Sequence, residues 1–287
     1  MDKFLESMGL VTGTVKELEG VNDECFLKNT CDNCLIPNRK EVVKVIKDLQ
    51  SLLFPDYFKH SEGSENVLSQ TELMLNIYNR LARQIEGACE FNHTVMDKSP
   101  EELCNAFIGE LPRVKRLLIK DIEAIYEGDP AAKCHQEVLI CYPGFYAISI
   151  YRLANVLYNL NVPLIPRIMT EFAHEKTGID IHAGATIGEY FCIDHGTGIV
   201  IGETTTIGNR VKIYQGVTLG AKSFKVDENG NPVKNIKRHP DIGNNVVIYA
   251  NATILGGDTK IGDNCVIGGN TWLTHSVESG KVIYYDK

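Results

Sequence analysis

A chain of 287 residues, 44% hydrophobic and 23% charged, has the composition of a soluble globular protein with one large or two medium domains. Its net charge of −8 disfavours a nucleic-acid or anionic-membrane surface, and nine cysteines, an odd number, form no dense disulfide framework. No apolar run approaches the ~20 residues that span a bilayer, and the start, MDKFLESMG, has no secretory pattern, so a cytoplasmic protein is expected.

Cys25, Cys31 and Cys34 lie close together near the start, the last two in CDNC. A zinc site needs about four ligands and no second pair stands nearby, so ordinary reduced thiols are expected. To about residue 176 the pattern reads as helical, which defines a first domain over 1–176. SPEELCNAF opens a helix with Ser99 as N-cap, Pro100 at the first helical position and Glu102 three residues after the cap. LPRVKRLLIKDIEAIYEGDP carries an apolar stripe at Leu111, Val114, Leu117, Leu118, Ile122 and Ile125. Gly128 is expected to end that helix, and Asp129, ahead of Pro130, to cap the next. PGFYAISIYRLANVLYNL reads as a strongly apolar helix broken at Asn161-Val162-Pro163. A last helix through MTEFAHEKTG stops at Gly178.

Beyond it the period changes to six. The units IHAGAT, IGEYFC, IDHGTGIV, IGETTT, IGNRVK and IYQGVT lead to an insertion over 221–241. They resume as IGNNVV, IYANAT, ILGGDTK, IGDNCV and IGGNTW. Six fits neither the 3.6 of a helix nor the 2 of an alternating strand. It suits a chain that turns every six residues and points each opening aliphatic into a narrow core. Each unit buries little alone, so only stacked turns make a continuous interior. The expected fold is α+β: an N-terminal α-helical domain followed, over 177–287, by a C-terminal left-handed parallel β-helix of hexapeptide repeats, three to a coil.

The rhythm slips once. From Ile193 to Ile201 the step is eight residues, and the surplus carries Asp194 and His195 side by side. Counting three units per coil places Asp180 and His195 on one face of the prism, a coil apart, with the bulge on that side. Plainer readings stand beside this one. A lone histidine in a turn is more often a surface residue than a base, Asp129 is what a helix cap should be, and His182 reads as structural. The polar stretch AKSFKVDENGNPVKNIKRHPD is long enough to be functional, and reads as a lid-like loop with a mobile DENGNP tip. Within it KNIKRH, Lys234–His239, is a basic cluster able to hold a phosphate.

KDIEAIYEGDPAA, YPGFYAISIYRLAN, TGIDIHAGATIG, IDHGTGIVIGET, GVTLGA and KRHPDIG, in this order, resemble the serine O-acetyltransferases of the hexapeptide-repeat acyltransferase group. The resemblance runs from about Leu117 to the last repeat. It implies transfer of acetyl from acetyl-CoA to the L-serine hydroxyl, giving O-acetyl-L-serine for cysteine synthesis, with feedback inhibition by L-cysteine. A serine hydroxyl is a poor nucleophile at neutral pH and needs a base; His195 matches the family's base, and Asp180 the carboxylate that orients its imidazole. Asp129 and Asp194 would meet the substrate ammonium, and Arg238 and His239 its carboxylate, His239 also being a candidate for the thioester oxygen. Acetyl-CoA would lie between neighbouring β-helices of a homotrimer, or of a dimer of trimers, against Gly220, Ala221, Ala250 and Gly269, with Lys222 toward a CoA phosphate. No metal is implied. The sequence stops at Lys287 without the terminal isoleucine that many members insert into cysteine synthase, which argues against that complex.

Other readings of the repeats are weaker. A related acetyltransferase acting on homoserine shares most of the features, whereas the helical domain and KRHP argue against a sugar acceptor. A γ-class carbonic anhydrase needs three histidines with a close pair, and the spacing of His239 and His275 does not supply it. Intact His195 and Asp180 argue against a non-catalytic scaffold.

Overall fold

The computed structural model describes residues 2–24, 35–58, 69–92, 97–223, 226–231, 233 and 236–284. Cys25, Cys31, Cys34, Lys234 and Lys287 lie outside the described residues. The chain divides into two compact units, Met1–Leu35 and Ile36–Lys287. The first holds helix α1 (Asp2–Glu24). The described cysteines, Cys89, Cys104, Cys134, Cys141, Cys192 and Cys265, are free thiols, and none of the described helices is long and apolar enough to cross a membrane.

The second unit opens with α2 (Arg39–Leu53), α3 (Gln70–Phe91), α4 (Pro100–Gly128), α5 (His135–Cys141), α6 (Pro143–Asn159) and α7 (Ile165–Thr177). Local chemistry fixes their ends. Ser99 and Glu102 form a reciprocal capping box with Pro100 in the first turn, as the sequence predicts, and Ser69 with Glu72 forms a second. Gly178 ends α7 in the left-handed region at φ 69°, where a side chain would be strained. SPEELCNAF and the LPRVK stripe belong to one 29-residue helix that runs through Pro112 and ends at Gly128, as expected. One expectation needs correction: Asp129 does not cap a following helix. It ends α4, and its Oδ1 accepts the Ala131 N–H at 2.8 Å in an Asx turn. The next helix starts only at His135.

The repeats then wind into a parallel β-helix with three sheets. One stacks β1 (Asp180–Ile181), β4 (Val200–Ile201), β7 (Thr218–Gly220), β10 (Thr253–Leu255) and β13 (Trp272–Leu273). The second holds β2 (Thr186–Ile187), β5 (Thr206–Ile207), β8 (Asp241–Ile242) and β11 (Lys260–Ile261). The third holds β3 (Cys192–Asp194), β6 (Lys212–Tyr214), β9 (Val247–Ile248), β12 (Val266–Ile267) and β14 (Val282–Ile283). Opening aliphatics stack coil on coil: Ile181 pairs with Ile201, Ile187 with Ile207, Ile193 with Ile213. All six are buried, which is why an aliphatic must recur at each corner. Three polar residues that follow an IG serve the adjacent coil. Asn209 Oδ1 accepts the Glu189 N–H, Asn244 Oδ1 the Asn209 N–H and Asp263 Oδ1 the Asn244 N–H, at 2.8, 2.8 and 2.6 Å.

The helices α4 and α6 pack against β3. Between them Arg152, 5% exposed, pairs with fully buried Asp121. This clamp sets where the end of α4, with Asp129, meets the first coil.

Candidate active site

The eight-residue step becomes a corner between β3 and β4. His195 takes φ 59°, Gly196 φ 93° and Gly198 φ 82°. A Cβ on Gly196 would come within 2.5 Å of Ile179 Cδ1, so only glycine lets the corner close on the chain leading into β1. The His195 side chain is 72% exposed, and its Nε2 lies 3.8 Å from Asp194 Oδ1. Asp194, by contrast, is largely enclosed. Its Oδ2 meets the Lys212 ammonium at 2.9 Å, and Lys212 also donates to the Gly128 carbonyl at 2.6 Å. Against the pull of burial, bonds to Tyr214 and Asp194 hold Lys212 above the usual lysine range. Asp129 stands beside this group. The Tyr142 hydroxyl donates to its Oδ2 at 2.6 Å and, with the Ala131 N–H, keeps its carboxyl below the usual range.

Asp180 is placed differently from the stacking count. It lies in the β1 sheet opposite Val200, whereas His195 follows β3 of another sheet, so the two do not share a face. Each strand begins one residue before its opening aliphatic, so Asp180 belongs to the side of Ile181, while His195 lies past the end of β3 in the corner. No hydrogen bond joins Asp180 to His195; the Asp180 carboxylate gathers with Glu171 and His174, their donor atoms all within 4.8 Å of one another. Those three side chains are the described residues able to share a metal ion. The chain still brings Asp180 near the corner, because Gly178 O accepts the Gly198 N–H at 2.8 Å.

A second group forms where the inserted segment rejoins the repeats. Arg238 donates to Glu203 Oε2, and the Tyr158 hydroxyl donates to Glu203 Oε1 at 2.9 Å. Burial opposes ionisation of Glu203, but these two donors prevail and hold it below the usual carboxylate range. His239 is 7% exposed. Burial, with the charge of Arg238 beside it, pushes its ring down to about 4. His182 packs edge-on to Tyr158 at 5.8 Å and accepts the Gly184 N–H through Nδ1, which fits its structural reading. A cavity of about 330 Å³ brings Lys222, Lys237 and Arg238 together with Gly256 and Gly257. At the described tip of the inserted segment, Asp227 Oδ1 accepts the N–H groups of Asn229 and Asn231 in a closed turn.

The remaining expected positions divide in the same way. Gly220 ends β7 opposite Leu255, and Ala221 leads to Lys222 at the cavity. Ala250 and Gly269 stack on adjacent coils, a Cβ on Gly269 lying 2.9 Å from the Ala250 carbonyl oxygen, and neither lines that cavity. Within one chain no hydrogen bond or ion pair links the His195 group to the Arg238 group among the described residues. Sequence reasoning missed Lys212, Tyr142, Glu203 and Thr204. All four sit in or beside motifs already singled out: Lys212, Glu203 and Thr204 at positions that the repeat leaves free for polar side chains, and Tyr142 at the start of α6.

A helical block clamped onto a hexapeptide β-helix, with a histidine at a corner insertion, defines a hexapeptide-repeat acyltransferase. The family described as Serine acetyltransferase, N-terminal, matches residues 58–149. The plasmid serine acetyltransferase of Synechococcus elongatus is 48% identical over 260 residues, 86% of this chain and 81% of that protein. Entamoeba histolytica serine acetyltransferase 1, solved in complex with L-cysteine, superposes with a TM-score of 0.73 at 35% identity, covering 84% of this chain and 86% of that one. The Neisseria gonorrhoeae serine acetyltransferase solved in complex with serine gives 0.57 at 26% identity, covering 88% and 95%. The chain belongs to the serine acetyltransferase family.

Proposed function

We propose that the chain moves the acetyl group of acetyl-CoA to the hydroxyl of L-serine by direct attack, with no acyl-enzyme. His195 accepts the hydroxyl proton as the serine oxygen bonds to the thioester carbon. The tetrahedral adduct then collapses, the C–S bond breaks, and the proton passes to the leaving CoA sulfur. Asp180 orients the imidazole, and the Asp194 carboxylate lies 3.8 Å from its Nε2. Asp129 and Asp194 receive the substrate ammonium, and Arg238 and His239 its carboxylate. The observation that carries this reading is the corner: in a member of this family, the two surplus residues present an exposed imidazole beside a carboxylate that a lysine holds in place.

Separate His195 and Arg238 groups support a site completed between copies, in a homotrimer or a dimer of trimers. Acetyl-CoA then lies in the groove along Gly220, Ala221, Ala250 and Gly269, and Lys222, with Lys237 and Arg238 beside it, takes a CoA phosphate. The complexes of the two relatives with L-cysteine and with serine support a serine pocket that L-cysteine occupies in feedback inhibition. Release of CoA thiol from acetyl-CoA, measured with serine and with homoserine while light scattering reports size, tests the reading. Serine-dependent release by a trimer or larger assembly is expected, and equal or faster release with homoserine overturns the substrate.

A further inference from the structure

We infer that Thr204 is a positioning residue, clamping Arg238 and His239 and fixing His239 as a neutral donor through Nε2. The inference rests on the proposed role of that pair toward substrate. Every polar atom of Thr204 is spent on residues 237–239. Its main-chain N–H donates to His239 Nδ1 at 3.0 Å, and its carbonyl accepts from Lys237 Nζ at 2.6 Å. Its hydroxyl oxygen accepts the main-chain N–H groups of Arg238 and His239 at 3.0 and 3.1 Å and lies 2.9 Å from His239 Nδ1. A threonine hydroxyl offers one donor and two acceptor sites, and here all three are used.

The tautomer follows from donor chemistry. A main-chain N–H can only donate, so Nδ1 must present a lone pair, and the neutral ring carries its proton on Nε2. Nε2 itself makes no hydrogen bond to any described residue. The ring lies against Gly202, where a Cβ would come 2.2 Å from Nε2. A ring held this way has no free lone pair with which to take a proton, so it can donate to a substrate oxygen but not act as the base. Two histidines near one reaction are thereby given separate work, with proton acceptance left to His195.

Thr204→Val removes the hydroxyl at nearly constant volume, and Thr204→Ser restores it. Nitrogen-15 NMR of the assembled native enzyme, with His239 assigned by the His239→Gln variant, should show Nδ1 unprotonated and Nε2 protonated. In Thr204→Val the main-chain N–H still meets Nδ1, so the tautomer should persist, but the loop loses its hydroxyl anchors and kcat/KM for serine should fall roughly 10²-fold, the cost of a small misplacement. Thr204→Ser should stay within about threefold of native on the same scale. A protonated Nδ1 in the native enzyme overturns the inference, as does a folded Thr204→Val with native kcat/KM. Full activity of Arg238→Ala and His239→Ala would instead remove the proposed role of the pair, an outcome that the ring signals keep separate from the clamp.

Discussion

Arg152 grips Asp121 with two parallel hydrogen bonds, Nε to Oδ2 at 2.6 Å and Nη2 to Oδ1 at 2.8 Å. The same guanidinium donates to the carbonyls of Ile187 and Gly188, and Asp121 accepts the Phe191 N–H at 3.0 Å. One pair thus joins α4 and α6 to the turn between β2 and β3. Asp121→Asn strands a buried guanidinium and should cost about 3 kcal/mol or more. Urea denaturation measures it, and a loss below about 0.5 kcal/mol, the scale of an ordinary surface change, would contradict the clamp.

His195→Asn should lower kcat by ~10²–10⁴-fold, the usual worth of general-base help. The fold and assembly should survive, because the side chain is 72% exposed and asparagine tolerates φ 59°. Alanine at that φ would add backbone strain. Turnover within a few-fold of native would remove His195 from the base role.

Stability should fall in mild acid through His239. Its folded ring titrates near 4, against about 6.5 when exposed. Above pH 6.5 folded and unfolded chains both hold it neutral. Between 6.5 and 4 only the unfolded chain takes up the proton, so stability drops with pH, by about 2 kcal/mol at pH 5. Urea denaturation at pH 7.5 and 5.0 should show a smaller difference in His239→Asn, whose amide oxygen can still accept the Thr204 N–H. An unchanged difference would mean that His239 is not the group responsible.

L-Cysteine should inhibit competitively against L-serine. Its apparent inhibition constant should rise in proportion to serine concentration, and Arg238→Ala should weaken both ligands together. Inhibition that saturating serine leaves untouched would place the cysteine site elsewhere.

The sequence makes the repeat legible because a period of six has one simple geometric meaning, and each Ile181-to-Ile201 kind of pairing repeats it. The corner was equally plain, since the surplus residues break a count. Side-chain direction at the corner was not. Asp180 and His195 are 15 positions apart, a number that suggested one shared face, yet Asp180 opens β1 while His195 sits in the corner after β3. Long-range partners were hidden as well. Nothing local in the sequence tells that Arg152 reaches Asp121, that Lys212 reaches Asp194 and Gly128, or that Thr204 will hold a loop re-entering about 34 residues later.

The first coil shows how the chain absorbs a change of length. Ile181, Ile187 and Ile193 each find their partner 20 residues on, whereas Ile201 finds Leu219 18 residues on. The two added residues shift no buried aliphatic out of line, and the much longer segment between β7 and β8 is accommodated just as quietly. Corners of this prism are therefore free sites for lengthening, decoupled from the interior. A lineage, or an engineer, can draft new chemistry at an edge and leave the packed column of isoleucines untouched.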